Sequence, residues 1–102
     1  MTTAYRIVFT PEARDQVDHL HAYISAAADG ETASRFTDAI IDHIACLSEF
    51  PERGTPRDDL RPGLRTFAWR RRVTIAFMVE EADVVVIGIF YGGRDFESLL
   101  EG

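Results

Sequence analysis

Hydrophobic and polar positions alternate in three registers along the chain, and the changes of register mark its elements. Tyr5-Arg6-Ile7-Val8-Phe9 is a short β-branched and aromatic run, which predicts a first strand. Thr10-Pro11-Glu12 then predicts a helix start: a capping hydroxyl, a proline suited to the first helical position and an acid that complements the helix dipole. Ala13, Val17, Leu20, Ile24 and Ala27 follow at helical spacing. Asp29-Gly30 is expected to end that helix by supplying a left-handed residue. A second helix is predicted from about Glu31 to Glu49, with Ala33, Phe36, Ile40, Ile44 and Leu47 as its apolar stripe and Pro51 as its stop. So short a connection predicts an antiparallel helix hairpin with one shared apolar side.

The second half reads as strands. Pro51 to Gly63 is rich in proline, glycine and charge and is expected to be a loop within one domain covering 1–102. Leu64 to Trp69 alternates roughly. Val73, Ile75, Phe77 and Val79 alternate with Thr74, Ala76, Met78 and Glu80, so Met78 should face away from the helix hairpin. Glu81-Ala82-Asp83 is a short turn, and Val84 to Tyr91 is apolar on both faces, as in a central strand covered on both sides. Gly92-Gly93 breaks it, and Arg94 to Glu101 has the spacing of a brief helix with Phe96, Leu99 and Leu100 on one side. The order is β-α-α-β-β-β with a helical tail. It predicts an α+β fold in which the hairpin packs on one face of a small, mainly antiparallel sheet. The hairpin covers only one face, so the other is expected to stay open until a partner chain covers it.

Charge sharpens that expectation. Of the eleven arginines, seven lie between Arg53 and Arg72, and the chain has no lysine. That window holds only Asp58 and Asp59, a net +5, whereas the rest sets four arginines against fifteen acids, a net −11. A dipolar charge distribution of this kind orients an acidic partner, and guanidinium forks match carboxylate oxygens in pairs. The overall acidity, −6, argues against non-specific nucleic-acid binding by the whole surface. Cys46 is the only cysteine, so no intrachain disulfide forms and a reducing compartment is expected. Met1 to Arg6 lacks a basic segment followed by an apolar one, and no apolar run is long enough to span a bilayer, so the expected location is the cytoplasm, without membrane contact. His19, His21 and His43 fall on the predicted helices with no ligand spacing, so neither a metal site nor any cofactor is expected.

Segments along nearly the whole chain resemble the ParE branch of the RelE/ParE toxin superfamily of type II toxin–antitoxin systems. They are Tyr5-Arg6-Ile7 with Thr10-Pro11-Glu12-Ala13, Leu20 with Tyr23-Ile24, Phe36 with Ile40 and Ile44, and Leu47 with Pro51-Glu52-Arg53-Gly54. Arg57-Asp58-Asp59-Leu60-Arg61-Pro62-Gly63-Leu64-Arg65, Val73 to Phe77, and Ile89-Phe90-Tyr91-Gly92-Gly93-Arg94-Asp95 complete the set. The resemblance implies a toxin that inhibits DNA gyrase and so replication. It also implies neutralisation by a ParD-like ribbon-helix-helix antitoxin, through which alone operator DNA is reached. The RelE branch, by contrast, cuts mRNA on the ribosome, and a RelE-like endonuclease is the alternative reading.

Such a nuclease needs groups that activate a ribose hydroxyl, protonate the leaving oxygen and neutralise the phosphate. Here lysine is missing and histidine is confined to the helices, which leaves Arg65, Arg71, Arg72, Tyr91 and Arg94 without a convincing base. The expected activity is therefore binding rather than catalysis. Arg57, Arg61, Arg65, Trp69, Arg71, Met78 and Tyr91 are the expected antitoxin contacts, and Arg94, Phe96 and Leu99 the candidates for touching the target.

Overall fold

A computed structural model describes residues 4–70 and 73–91. Strand β1 (Arg6–Phe9) leads into helix α1 (Pro11–Ala27), then α2 (Gly30–Ala45) and a 3-10 turn (Cys46–Ser48). Strands β2 (Thr55–Pro56), β3 (Leu64–Trp69), β4 (Val73–Glu80) and β5 (Asp83–Tyr91) follow. One mixed sheet has the order β1-β5-β4-β3-β2, in which β1 runs parallel to β5 and every other pair is antiparallel. The α+β arrangement matches the expected one. The expected helix at Arg94–Glu101 lies outside the described residues.

Local chemistry explains the helix boundaries. Thr10 accepts a hydrogen bond from the Ala13 N–H, and Pro11 occupies the first turn of α1. The expected role of Asp29-Gly30 is corrected. Asp29 is the N-cap of α2, its carboxylate accepting from the Thr32 N–H at 2.7 Å, and Gly30 is the first residue of that helix. These hydrogen bonds hold the Asp29 carboxyl below the usual carboxylate range. Gly30 is helical, not left-handed, and an added Cβ there would meet open space. Ala27, counted in the apolar stripe, is exposed.

The helix hairpin and one sheet face enclose the main core: Ala13, Leu20, Ile40, Ile44, Leu47, Trp69, Val73, Ile75, Phe77, Val84, Val86 and Ile89. The loop from Pro51 to Gly63 contains a strand that the sequence pattern did not announce, the two-residue β2, paired with Arg65 and Thr66. Gly54 makes that pairing possible. Its φ is +91°, and a Cβ there would lie 2.4 Å from the Thr66 carbonyl oxygen.

A β-bulge resolves how β5 is apolar on both faces. Ala76 pairs with Gly88 and Phe77 with Val86, leaving Ile87 as the extra residue. The bulge shifts the phase, so Val84, Val86 and Ile89 join the helix-side core while Ile87 and Phe90 turn to the outer face. The side chain of Gln16, on α1, accepts the Ile89 N–H at 2.6 Å and fixes the irregularity from the helix side.

Candidate functional site

The outer face of the sheet is not as open as the sequence suggested. Leu64, Ala76 and Phe90 are buried there, with Leu60, Met78 and Ile87 packed against them. The expectation of an uncovered face is thus corrected. Leu60 comes from the segment between β2 and β3, which folds over the sheet edge and shields part of it. Backbone bonds shape this segment: Arg57 N–H to the Leu64 carbonyl, Leu60 and Arg61 N–H to the Arg57 carbonyl, and Leu64 N–H to the Arg61 carbonyl. The Asp58 carboxylate accepts the Gly63 N–H at 2.8 Å, and Gly63 turns the chain at φ +81°.

What remains is a cross-strand row. Val8 pairs with Val85, Val85 with Met78, and Met78 with Leu64. By alternation these residues share the outer face. Val8, Val85, Met78 and Ile87 are half-buried, whereas Leu64 is closed off. One end of the face carries the two-pronged Arg6–Asp83 pair, with both contacts at 3.1 Å. The other end meets the arginine-bearing loop.

The loop arginines divide by role. Arg57 grips Asp59 with two contacts of 3.0 Å, and this guanidinium holds the Asp59 carboxyl below its ordinary range. Arg61 is half-buried beside Leu60, in the loop turn itself. Arg65 is opposite Phe77, on the helix side of β3, and donates to the Glu52 carbonyl at 2.9 Å. Arg65 therefore braces the loop after α2 and does not line the outer face.

Trp69 and Tyr91 also fall on the helix side, which separates them from Met78. Trp69 is 7 % exposed, with its ring edge-on to Phe36 at 4.9 Å, so the expected surface contact is a core residue in this structure. Tyr91 packs against Phe36 and Tyr23. Of the seven expected antitoxin contacts, the structure gathers Met78, Arg57 and Arg61 around one outer patch. Arg71 and the expected target contacts Arg94, Phe96 and Leu99 lie outside the described residues. Val8 and Leu60 belong to the patch, with Leu64 buried beneath it, and were missed, whereas Val85 lies in the Val84–Tyr91 run already read as apolar on both faces. A lone leucine inside a charged loop was the available signal for Leu60, since an apolar side chain in such a segment gains most by folding back onto a sheet.

The histidines are engaged on the helices. His19 Nδ1 is 2.7 Å from the Asp15 carbonyl, His21 Nε2 is 3.1 Å from the Ser34 hydroxyl, and the His43 ring stacks on Phe67 at 4.4 Å. None lies in the outer patch. Among the described residues no group of three or more His, Cys, Asp or Glu side chains is arranged to hold a metal ion, and no helix is long and apolar enough to cross a membrane.

Comparison with known proteins gives this geometry a family. The chain is 29 % identical over 98 residues to Toxin ParE3 of Caulobacter vibrioides, covering 93 % of this chain and 94 % of that one. Its fold superposes on a chain of the chromosomal ParDE system from P. aeruginosa with a TM-score of 0.77 at 19 % identity, covering 88 % of this chain and 98 % of the other. A chain of the RelBE2 toxin–antitoxin complex from Mycobacterium tuberculosis superposes with a TM-score of 0.62, also at 19 % identity, over 87 % and 99 % of the two chains. The family model for the ParE toxin of the type II toxin–antitoxin system parDE matches residues 7–96, and the chain therefore belongs to the ParE toxin family.

Proposed function

We propose that this toxin acts by binding DNA gyrase rather than by catalysis, and that a ParD-like antitoxin neutralises it by lying on the outer sheet face. The observation that carries the docking half is the half-covered row Val8–Val85–Met78, which runs toward the Arg57–Arg61 loop. A row of aliphatic side chains beside guanidinium groups suits an amphipathic, acidic segment. The apolar positions of such a segment would bury against Met78 and Val85, and its carboxylates would approach the loop. The binding half rests on family membership. It is supported by the histidines, which lie on the helix layer with packing or hydrogen-bond partners and away from the strand surface that a RelE-like nuclease would use.

Three experiments test the reading. Purified toxin should inhibit gyrase supercoiling of a relaxed plasmid, and induction of the toxin should leave transcripts uncut. Transcript cleavage without supercoiling inhibition would establish the nuclease alternative instead. For the dock, Arg61→Glu should weaken the complex with the ParD-like antitoxin by about tenfold and flatten its dependence on salt. Unchanged affinity and salt slope in titration calorimetry would remove the loop from the interface.

A further inference from the structure

The first strand offers backbone rather than side chains. Among the described residues β1 pairs only with β5, so its other edge faces outward. The Arg6 N–H donates to the Ala82 carbonyl at 2.9 Å and the Thr10 N–H to the Val86 carbonyl at 3.0 Å. By alternation, Arg6, Val8 and Thr10 turn their peptide groups to β5, whereas Tyr5, Ile7 and Phe9 turn theirs away. Tyr5 is satisfied there: its N–H donates to the Ser48 carbonyl and its carbonyl accepts the Ser48 hydroxyl, both at 2.8 Å. The Ile7 and Phe9 N–H groups have no such partner among the described residues. Sheet edges are commonly guarded by a lysine, a proline or a bulge. Ile7–Phe9 carries none of these, and the neighbouring charge, Arg6, is drawn to Asp83 of β5.

This edge fits its own copy. Two β1 strands running antiparallel about a two-fold axis at Val8 set Ile7 opposite Phe9 of the second copy, and Phe9 opposite its Ile7. Each pair exchanges two hydrogen bonds, so every outward N–H and C=O of Ile7 and Phe9 is used. Val8 then meets Val8 of the second copy, and Arg6 stands opposite Thr10, so no like charges face each other. Other axes fail. One at Ile7 would call on the Tyr5 groups, which Ser48 already holds. One at Phe9 would set Ile7 against Pro11, which has no N–H to give.

So short an edge does not hold a dimer by itself, since specific interfaces bury about 1,200 Å² or more. A groove of about 420 Å³ beside the start of β1 supplies further contact, lined by Tyr5, Glu49, Phe50, Pro51, Glu52 and Arg53. Phe50 is 54 % exposed, with the Arg53 guanidinium over its ring at 5.0 Å. The Val8 axis sets Tyr5 opposite Pro11 of the second copy and so brings the exposed start of its α1 to this groove. That segment carries Glu12 and Arg14, and the groove carries Arg53 and Glu49. None of these four has an ion-pair partner among the described residues. The signs are complementary, and the two-fold axis repeats the match.

We infer that the toxin self-associates into a two-fold dimer through its β1 edges, with Pro11 and Glu12 of each copy seated in the Tyr5–Phe50–Arg53 groove of the other. One sheet then runs through both copies. The inference depends on neither the antitoxin nor the gyrase reading, and its test uses the toxin alone.

Full-length toxin is followed by sedimentation equilibrium and by amide exchange over a concentration series. A monomer–dimer equilibrium is expected, in which the Ile7 and Phe9 amides exchange about tenfold or more slowly in the dimer than in the dilute monomer. Arg53→Glu and Glu12→Arg should each weaken the dimer by about tenfold. The double variant restores opposite signs across the groove and should recover most of the loss, a rescue that misfolding would not give. A toxin that stays monomeric up to about 1 mM would overturn the proposal. So would a dimer that is indifferent to both charge reversals, or one in which the Ile7 and Phe9 amides exchange as fast as in the monomer. Protection of those amides in the dilute monomer would mean that the chain's own residues already cover the edge, and would overturn it too.

Discussion

The two faces of one sheet are packed by different means. Among the described residues, the helix-side core draws twelve buried side chains from α1, α2, the 3-10 turn and strands β3, β4 and β5, and the outer cluster has three, with a loop leucine as cover and half-buried side chains around it. The first is made of long amphipathic elements that have no other place for their apolar stripes, so it carries the stability of the fold. The second is closed by a short segment whose own shape depends on Asp58, Gly63 and the Arg57–Asp59 pair. Strongly held structure on one side and lightly held cover on the other is the division that the proposed docking on the outer face would use.

The largest expected effect breaks the helix-side face. Phe77 is fully buried, and Phe77→Ala should cost about 3–5 kcal/mol in urea unfolding. Gly54→Ala comes next. The left-handed backbone and the Thr66 carbonyl both oppose a methyl group there, so a loss of about 2 kcal/mol or more is expected, with faster amide exchange along β2 and the facing part of β3. Leu60→Ala should cost less, about 1–2 kcal/mol, because the side chain is only half-buried. That variant should also bind more of an apolar dye, since it uncovers Leu64 and Phe90. A cost equal to that of Phe77→Ala would erase the contrast between the faces.

The smallest effect is a pH dependence. The Asp29 and Asp59 carboxyls are held below their usual range, Asp29 by the Thr32 N–H and Asp59 by Arg57. A depressed folded value means that the stabilisation is complete above the unfolded value, about 4, and is lost as pH falls through the folded one. Asp29→Asn keeps a good helix cap, so it should leave stability at pH 7 nearly unchanged and flatten the acid limb below about pH 4. An acid limb identical to that of the parent would show that this cap does not contribute to it.

Much of the helix-side half was legible because its signals are local. Thr10-Pro11-Glu12 and the stripes on both helices are set by neighbours within a turn or two, and the structure follows them except at Ala27. Asp29-Gly30 was misread because the same pair can stop one helix or start the next, and a two-residue junction leaves no spacing to decide. The outer face was less legible. The bulge at Ile87, the fold-back of Leu60 and the pairing of β2 all depend on groups far apart in sequence, such as Gln16 with Ile89 and Gly54 with Thr66. Alternation placed Met78 correctly, away from the hairpin, yet gave no way to see that Trp69 and Tyr91 lie on the other side from it.

The two methionines provide the most direct test of the outer face as a docking surface, since Met1 is at the chain start and Met78 stands in the half-covered row. In toxin labelled with carbon-13 at the methionine methyl groups, titration with the ParD-like antitoxin should shift the Met78 methyl resonance and protect it from a soluble paramagnetic agent. A stable complex in which that resonance neither moves nor gains protection would contradict the account.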